Sequence, residues 1–490
     1  MSEPLQPRTL RRELRISDAA AFSIGLIGPV GAMAVNGVGA AGILGTGATW
    51  AFVFALIGVV LVAYGFIKLS RHISNSGSVF GLVGVTLGPR AGFVAGCALA
   101  GAYLTIGAGS TIAIGLFVAP VLQALNIASS PDWALIAVLG LVLVGGLSLT
   151  RIKVVARVLL IVEFIGVALV VLLGIVVLIR LGTHHAPGDQ TLTWRFLSIP
   201  AGTGVTGVGS AAVFGFLAFA GFEGAASLGE ETVNPKRDVP RAIIISIVVV
   251  AVFYLFAVIT QSLGFGVSEQ GVQAFQHTST TYGDLGSSYV GKAFGVALNV
   301  AAALSSVAIS LGTMNASARI IFSVGRAAGD ARITTRLSKR GEPTMALLIT
   351  LVVALIIVIG QRLAGTDILS ATLYWLTLGA LSLLLAYALA TIGAFKYLFL
   401  SGANRAPKWQ LVIPVVGLVF IGYVFYRNVV GVSAPYDRFG YYVIGWILLA
   451  TLLAVVLPGL PSRIRSALAR TDDASTTDAA FITDRAAGKL

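Results

Sequence analysis

The chain has 490 residues, of which 57% are hydrophobic and 11% are charged, and its mean hydropathy is +0.93. Because a soluble globular domain carries about 25% charged residues, this composition excludes a soluble protein and predicts an all-α polytopic membrane protein. The single cysteine, Cys97, excludes an intramolecular disulfide and a cysteine-based metal site.

The two ends of the chain are polar, unlike the apolar body between them. Residues 1–15 are rich in Arg and lack the short apolar region and cleavage site of a secretory signal, so we expect a retained, cytoplasmic N-terminal arm. Residues 463–490 predict a cytoplasmic C-terminal tail, whose polar part cannot bury a core of its own. Residues 16–462 then form one transmembrane domain.

Charged residues divide the apolar body into segments that predict twelve transmembrane helices, since backbone polar groups in lipid must be paired inside helices. Residues 19–67 contain no Asp, Glu, Lys or Arg and hold helices 1 and 2, and helix 3 runs from the 80s to about Ala119. The others are helix 4 between Asp132 and Arg151, helix 5 between Arg157 and Arg180, helix 6 between about Ser210 and Glu230, helix 7 after Arg241, helix 8 between Lys292 and Arg319, helix 9 between Glu342 and Arg362, helix 10 between Asp367 and Lys396, helix 11 between Lys408 and Arg427, and helix 12 between Arg438 and Arg463.

The distribution of Lys and Arg predicts the orientation of these helices. With both termini in the cytoplasm, only six of the 33 Lys and Arg residues fall outside, as the positive-inside rule requires. They are Arg180, Arg195, Lys292, Arg362, Arg427 and Arg438. The net charge of +13 therefore indicates topology and contact with anionic lipid, not nucleic-acid binding. We expect a multi-pass protein of the plasma (inner) membrane.

Two of the predicted helices contain a break near the centre of the membrane. In helix 1, Pro29 donates no backbone hydrogen bond and its ring clashes with the carbonyl of Gly25, while the neighbouring glycines permit unwinding. In helix 6, a glycine and an acid interrupt the apolar run at residues 219–223. Because the two segments are five helices apart, they cross the membrane in opposite directions and can face each other.

Facing breaks would form a small site for a zwitterion. The unpaired amides at the start of a half-helix favour a carboxylate, and the unpaired carbonyls at the end of one accept hydrogen bonds from an ammonium. Irregular backbone at this depth is tolerated only where it is buried in protein or lines a cavity. The sequence therefore predicts a substrate cavity where helices 1 and 6 meet.

Two acids within the predicted helices are candidates for proton coupling. Glu223 is the first choice, because an acid at membrane depth is costly and usually functional, and protonation would neutralise it; a structural cap of the lower half of helix 6 is the alternative. Glu163 is the second candidate. It lies about 9 Å along a helix from Arg157, so its side chain could instead extend to the membrane surface.

Several motifs resemble those of the amino acid-polyamine-organocation (APC) permeases. The most specific is a helix 6 signature, Gly221-Phe222-Glu223 followed by Glu230-Glu231, Asn234-Pro235, Arg237 and Pro240-Arg241-Ala242-Ile243. Supporting matches are Ser76-Gly77-Ser78-Val79-Phe80, Leu87-Gly88-Pro89 and Asn315-Ala316-Ser317-Ala318-Arg319. The resemblance extends from about Ile16 to Leu457. It implies a LeuT-type fold, with two inverted five-helix repeats (helices 1 to 5 and 6 to 10), two peripheral helices, and breaks in helices 1 and 6.

The resemblance also implies where a substrate binds. Its carboxylate would meet the helix 1 break, at Gly28, Pro29, Val30, Gly31 and Ala32, and its amino group would meet helix 6 carbonyls, at Phe219, Ala220 and Gly221. Phe222 or Phe219 would be an aromatic lid, and Tyr103, Tyr374 and Trp375 are further pocket candidates. The chain departs from the family at Pro29-Val30 and in helix 5, which lacks the lysine that replaces a sodium ion in many relatives.

These features predict a secondary active transporter of an amino acid that works by alternating access and is coupled to protons. The chain has no P-loop for ATP. Polyamine or organic amine transport, amino acid exchange, an amino acid sensor and a channel are the alternatives, and the coupling ion and oligomeric state are open. We expect no enzyme, cofactor or metal, because no nucleophile-base pair or metal-ligand spacing occurs and the GxGxxG match at residues 202–207 follows no strand.

Overall fold

The structure, a computed structural model, describes residues 14–73, 78–149, 152–228, 232–329, 334–336, 343–401 and 406–466. Within these ranges the regular elements are helices, apart from one isolated bridge between Leu14 and Thr232. The predicted N-terminal arm, apart from its last two residues, and the tail beyond residue 466 lie outside the described residues. The expectation of an all-α protein is confirmed for the part of the chain that is described.

Seventeen α-helices occur in the described ranges. They are α1 (Ile16–Ile27), α2 (Pro29–Leu44), α3 (Thr49–Ser70), α4 (Ser78–Thr86), α5 (Pro89–Ala124), α6 (Trp133–Ser148), α7 (Ile152–Gly182), α8 (Gly204–Ala218), α9 (Gly224–Ser227), α10 (Pro235–Phe265), α11 (Glu269–His277), α12 (Thr281–Tyr289), α13 (Lys292–Ala328), α14 (Thr344–Leu363), α15 (Ile368–Phe395), α16 (Val412–Arg427) and α17 (Phe439–Val456).

The lengths of these helices fit a polytopic membrane protein. Among the described residues, nine apolar helical stretches are long enough to cross a membrane, and one of them, Ile16–Ser70, has 55 residues and contains α1, α2 and α3. The helices α6 and α8 are apolar but shorter. If Ile16–Ser70 crosses twice and α6 and α8 each cross once, the total is twelve. That count remains a prediction.

Several helix boundaries differ from those predicted from charge. The helix predicted to follow Arg241 begins at Pro235, a residue suited to the first turn. The helix predicted to end at Arg319 continues to Ala328 and ends at Gly329, which has φ +91°. The predicted helix 3 corresponds to α5, which continues to Ala124, and a separate short helix, α4, precedes it. Charged residues fail to mark these ends because a helix can continue past the membrane surface, where water solvates its side chains.

Two groups of helices pack against each other around the centre of the molecule. In one group, α5 packs against α13 and α15, with glycines at the contacts: a Cβ on Gly107 would meet Met314, and one on Gly379 would meet Ile106. In the other group, α8 packs against α2 and α3, and α1 packs against α10. The groups meet where α13 contacts α1 and α2 and where α15 contacts α8. The candidate site lies at this junction.

Candidate functional site

The first break lies between α1 and α2. The residue that separates the two helices, Gly28, has φ +59°, a left-handed conformation that glycine adopts at little cost. A Cβ on Gly28 would also collide with the side chain of Ile309 in α13. Pro29 opens α2, where its missing N–H costs nothing because that position has no intrahelical partner. The chain is thus broken where the sequence predicts a break.

The second break, residues 219–223, is a turn between α8 and α9. Gly221 in this turn has φ +108°. A Cβ placed on Gly221 would lie 3.1 Å from Cγ of Leu26 and 3.2 Å from the backbone N of Ile27, the residues that end α1. The two breaks therefore contact each other directly, whereas the number of intervening helices predicted only that they can face each other.

The acid of the second break is fully buried and fully paired. The exposed fraction of Glu223 is 0%. Its Oε1 accepts a hydrogen bond of 2.5 Å from the hydroxyl of Tyr103 in α5, and its Oε2 accepts one of 2.7 Å from the hydroxyl of Tyr387 in α15 and one of 3.1 Å from the backbone N of Gly221. Glu223 therefore links the second break to α5 and α15 by hydrogen bonds.

A cavity of about 30 Å³ lies between the two breaks and the helices α5, α13 and α15. Most of its wall is apolar, and the residues that line it are Leu26, Ile27, Gly31, Ala32, Val35, Asn36, Tyr103, Ile106, Ser110, Ala113, Leu217, Ala220, Ser306, Ile309, Thr313 and Leu376. No charged side chain is among them. The polar groups in the wall are three hydroxyl side chains, one phenol, one amide side chain and backbone.

Glu163 lies behind the first break. Its exposed fraction is 2%, so it does not extend to the membrane surface, as the alternative interpretation allowed. The Ser305 side chain and the Val30 backbone are its polar neighbours, but neither carboxyl oxygen has a hydrogen-bond partner of standard geometry among the described residues. The hydroxyl of Ser305 accepts a hydrogen bond of 2.8 Å from the backbone N of Gly31.

Comparison with protein-family models gives a match to an amino acid permease family over residues 14–452, which is nearly all of the chain. The chain belongs to this amino acid permease family. The resemblance noted from the helix 6 signature is therefore confirmed, and this is a family of permeases and not of enzymes.

The chain is similar in sequence to three transport proteins. The branched-chain amino acid permease BcaP of Bacillus subtilis is 28% identical over 271 residues, which cover 51% of this chain and 54% of that protein. The low-affinity putrescine importer PlaP of Escherichia coli is 25% identical over 338 residues, covering 66% and 70%. An uncharacterised transporter of Mycobacterium tuberculosis is 30% identical over 263 residues, covering 53% and 55%. The chain thus spans about half the length of two of these relatives.

Only part of the predicted site lies around the cavity of this permease. Gly31, Ala32, Ala220 and Tyr103 line it. Val30 is fully buried and is not among the lining residues. Its side chain faces α7, where it would be the closest contact of a Cβ placed on Gly166.

The two phenylalanines predicted as a lid lie in the protein interior and do not line the cavity. Phe219 packs against Tyr254 with ring centroids 5.1 Å apart, and Phe222 packs against Phe66 and Tyr387 at 5.7 and 5.3 Å. In α15, the predicted pocket residues lie elsewhere. Tyr374 packs against Tyr436 and Phe439, and Trp375 lies in the cluster formed by α5, α6, α13 and α14.

Sequence reasoning missed several polar residues that the structure brings to the site. Tyr387 completes the pairing of Glu223, and Asn36, Ser110, Ser306 and Thr313 line the cavity. The available signal for Tyr387 was the need of a buried carboxylate for hydrogen-bond donors, but the sequence does not indicate which tyrosine meets that need.

Proposed function

We propose that the protein is a secondary active transporter that carries an amino acid across the plasma (inner) membrane by alternating access, coupled to protons. The observation that carries this proposal is the small cavity between two helix breaks that contact each other. Broken helices at membrane depth are tolerated where they line a cavity, and they concentrate unpaired backbone groups on whatever the cavity holds. The amino acid permease relative supports the same substrate class.

Backbone carbonyls would hold the amino group of the substrate. The carbonyls of Leu26, Ile27 and Ala220 accept no hydrogen bond from the described residues, and all three residues line the cavity. An ammonium placed among them would be stabilised by the partial negative charge at the C-terminal end of α1. Apolar side chains of Ile106, Leu376 and their neighbours would surround the rest of a small neutral substrate.

Alternating access would move one group of helices against the other. Ser23 of α1 accepts a hydrogen bond of 2.8 Å from the backbone N of Ala225 and donates one of 3.3 Å to the carbonyl of Phe222, so α1 and the second break form one unit. The link from Glu223 to Tyr103 and Tyr387 joins this unit to α5 and α15. Breaking and remaking that link would accompany each cycle.

Glu223 is the first choice for the proton carrier. An ionised carboxylate accepts all three of its hydrogen bonds, whereas a protonated carboxyl has a hydrogen to donate and must rearrange at least one of them. Protonation would therefore change the strength of the link between the second break and the helices α5 and α15. Glu163 is the second candidate, because it is buried next to the first break.

An organic amine is the second candidate substrate. The hydroxyls of Tyr103, Ser306 and Thr313 already donate their hydrogens to protein acceptors, so the cavity wall offers acceptors in excess of donors. The putrescine importer among the relatives supports an amine substrate, although putrescine itself carries two ammonium groups. A diamine is disfavoured, because its second ammonium would face a wall without an acid. Amino acid exchange would use the same cavity. Sensing without transport is disfavoured, because it gives no role to the hydrogen-bonded link between the two helix groups.

The proposed topology has twelve helices arranged as two inverted repeats with two peripheral helices. Both termini would be cytoplasmic, with the arm at residues 1–15 and the tail at residues 463–490. The spacing of five predicted helices between the two breaks and the clustering of Lys and Arg in alternate loops support this arrangement.

The proposal is tested by reconstituting the purified protein in liposomes. Uptake of radiolabelled amino acids and amines is measured with and without an inward proton gradient. Saturable uptake of at least one amino acid is expected, and its absence for every amine-bearing solute would reject the transporter.

The Glu223→Gln variant tests proton coupling. We expect it to bind substrate but to lose the pH dependence of uptake, which for one coupled proton reaches about tenfold per pH unit in the wild type. Glu269→Gln is the matched control, since Glu269 is an exposed acid of α11. If Glu223→Gln and the control retain the same pH dependence, Glu223 is not the proton carrier.

A further inference from the structure

The start of α2 has fewer free amides than an ordinary helix. The first amides of a helix lack an intrahelical partner and form its anion-binding end. In α2 the first residue is Pro29, which has no N–H, and the amide of Ala32 already donates to the carbonyl of Gly28 over 2.9 Å. Only the amides of Val30 and Gly31 remain for an anion.

Polar side chains lie next to both of these amides, and one of them is hydrogen-bonded. The Gly31 amide donates to the hydroxyl of Ser305, and the Val30 backbone faces the carboxyl of Glu163. The positive end of α2 therefore has a resident carboxyl group. A substrate carboxylate cannot use this end of the helix without displacing or neutralising that group.

The surroundings of Glu163 favour its neutralisation when a second carboxylate binds nearby. It is 2% exposed, and neither oxygen has a hydrogen-bond partner of standard geometry among the described residues, so the Ser305 side chain and the Val30 backbone hold its charge only through weak polar contacts. An ionised carboxylate in this setting is costly unless it is paired. A second carboxylate at the same helix end would add like-charge repulsion and favour protonation of one of the two.

We propose that Glu163 occupies the anion-binding end of α2 in the empty protein and takes up a proton from solution when the carboxylate of an amino acid binds there. The inference rests on the proposed function and deepens it: the proton is coupled to the carboxylate of the substrate, not to its amino group. One proton moves from water to the Glu163 carboxylate for each carboxylate bound, so the helix end keeps a single negative charge.

Few other titratable groups can interfere at this position. Among the described residues, Tyr254 of α10 is the titratable side chain that interacts electrostatically with Glu163. The elements packed against α7 are α1, α2, α10, α12 and α13. Their remaining titratable groups are Asp18, Lys236, Arg237, Asp238, Arg241, Tyr282, Asp284, Tyr289, Lys292, Arg319 and Arg326. Tyr282, Asp284 and Tyr289 lie in the short helix α12, Arg241 and Arg319 lie in the outer thirds of α10 and α13, and the others lie in first or last turns of the long helices.

Pairs of ligands that differ only in the carboxylate test the inference. Affinities of L-alanine and ethylamine, and of L-leucine and isopentylamine, are measured on the purified protein in nanodiscs between about pH 5 and pH 7.5, where each ligand keeps its charge. The titration of Glu223 beneath the cavity acts on both members of a pair and cancels in their ratio. We expect the affinity of the amino acid to fall relative to that of the amine as pH rises, by up to about tenfold per pH unit.

The Glu163→Gln variant should abolish this dependence of the ratio on pH while leaving the affinity for the amine within about twofold. Glu269→Gln is the control, and retained amine binding shows that the variant is folded. The inference is overturned if the ratio is independent of pH in the wild type, or if Glu163→Gln keeps the wild-type dependence. If no member of any pair binds, the proposed function itself fails. That result differs from one in which both ligands bind and their affinities change equally with pH, which overturns only the inference.

Discussion

Removing the hydroxyl of Tyr387 should loosen the contact between the second break and α15. The hydroxyl donates a hydrogen bond of 2.7 Å to Oε2 of Glu223, whose remaining partner on that oxygen is the backbone N of Gly221, 3.1 Å away and within the same break. In the Tyr387→Phe variant, Glu223 stays connected across the junction only through Tyr103 of α5. The link to α15 is lost, while the aromatic ring that packs against Phe222 is kept.

The size of the effect follows from the charge of the acceptor. A hydrogen bond to a charged group contributes about 1.5–3 kcal/mol, and Glu223 is fully buried, so water does not replace the lost donor. If Glu223 is ionised when the contact is closed, the equilibrium should shift towards forms in which α15 separates from the second break. The expected shift is about 10- to 150-fold, since 1.4 kcal/mol corresponds to a factor of ten.

Cysteine alkylation measures this equilibrium. Ala390 lies one turn beyond Tyr387 on α15 and is 3% exposed, so a cysteine there reacts only when the helices separate. In a Cys97→Ser background, the alkylation rate of Ala390→Cys by a water-soluble maleimide should rise by at least about tenfold in Tyr387→Phe. Tyr374→Phe is the matched control, because its ring lies on the same helix and packs against Tyr436 and Phe439.

If the alkylation rate in Tyr387→Phe is as low as in the control, the hydrogen bond to Glu223 does not hold the junction closed. If the rate rises equally in both variants, loss of any tyrosine hydroxyl destabilises α15, and the hydrogen bond to Glu223 has no special role.

Two further predictions concern local structure. Gly221→Ala should abolish uptake, because its φ of +108° strains any L side chain and a Cβ would lie only 3.1 and 3.2 Å from α1. Gly42→Ala, where nothing lies within 4 Å, should retain uptake, and equal uptake by the two variants would contradict this prediction. Asp132→Ala should lower the apparent Tm in detergent through loss of a helix cap worth about 1 kcal/mol. Because the Arg362 guanidinium and backbone amides lower the pKa of Asp132 from 3.8, that loss should be equal at about pH 7 and pH 5 and shrink only in stronger acid; a difference between those two values would contradict it.

The sequence alone predicted the class of protein and the positions of both breaks. Long runs without charge permit one solution in lipid, a helix whose backbone is paired internally, so the residues between charges were enough. Pro29 and Gly221 were equally informative, because proline and glycine act on the backbone locally through their own covalent geometry. Helix ends were less certain, since α10 and α13 continue past the residues that charge suggested.

The side chains that meet at the site are determined by the packing of the helices. Tyr387 is 164 residues from Glu223 in sequence, and no local pattern distinguishes it from Tyr374, which packs elsewhere. Likewise, residue spacing allowed Glu163 to lie at the membrane surface or at the core, and the packing of α7 against α2 and α13 put it beside the first break. The physical reason is that apolar sequence fixes a helix but not its rotation about its own axis, which depends on small residues and close contacts with several helices at once.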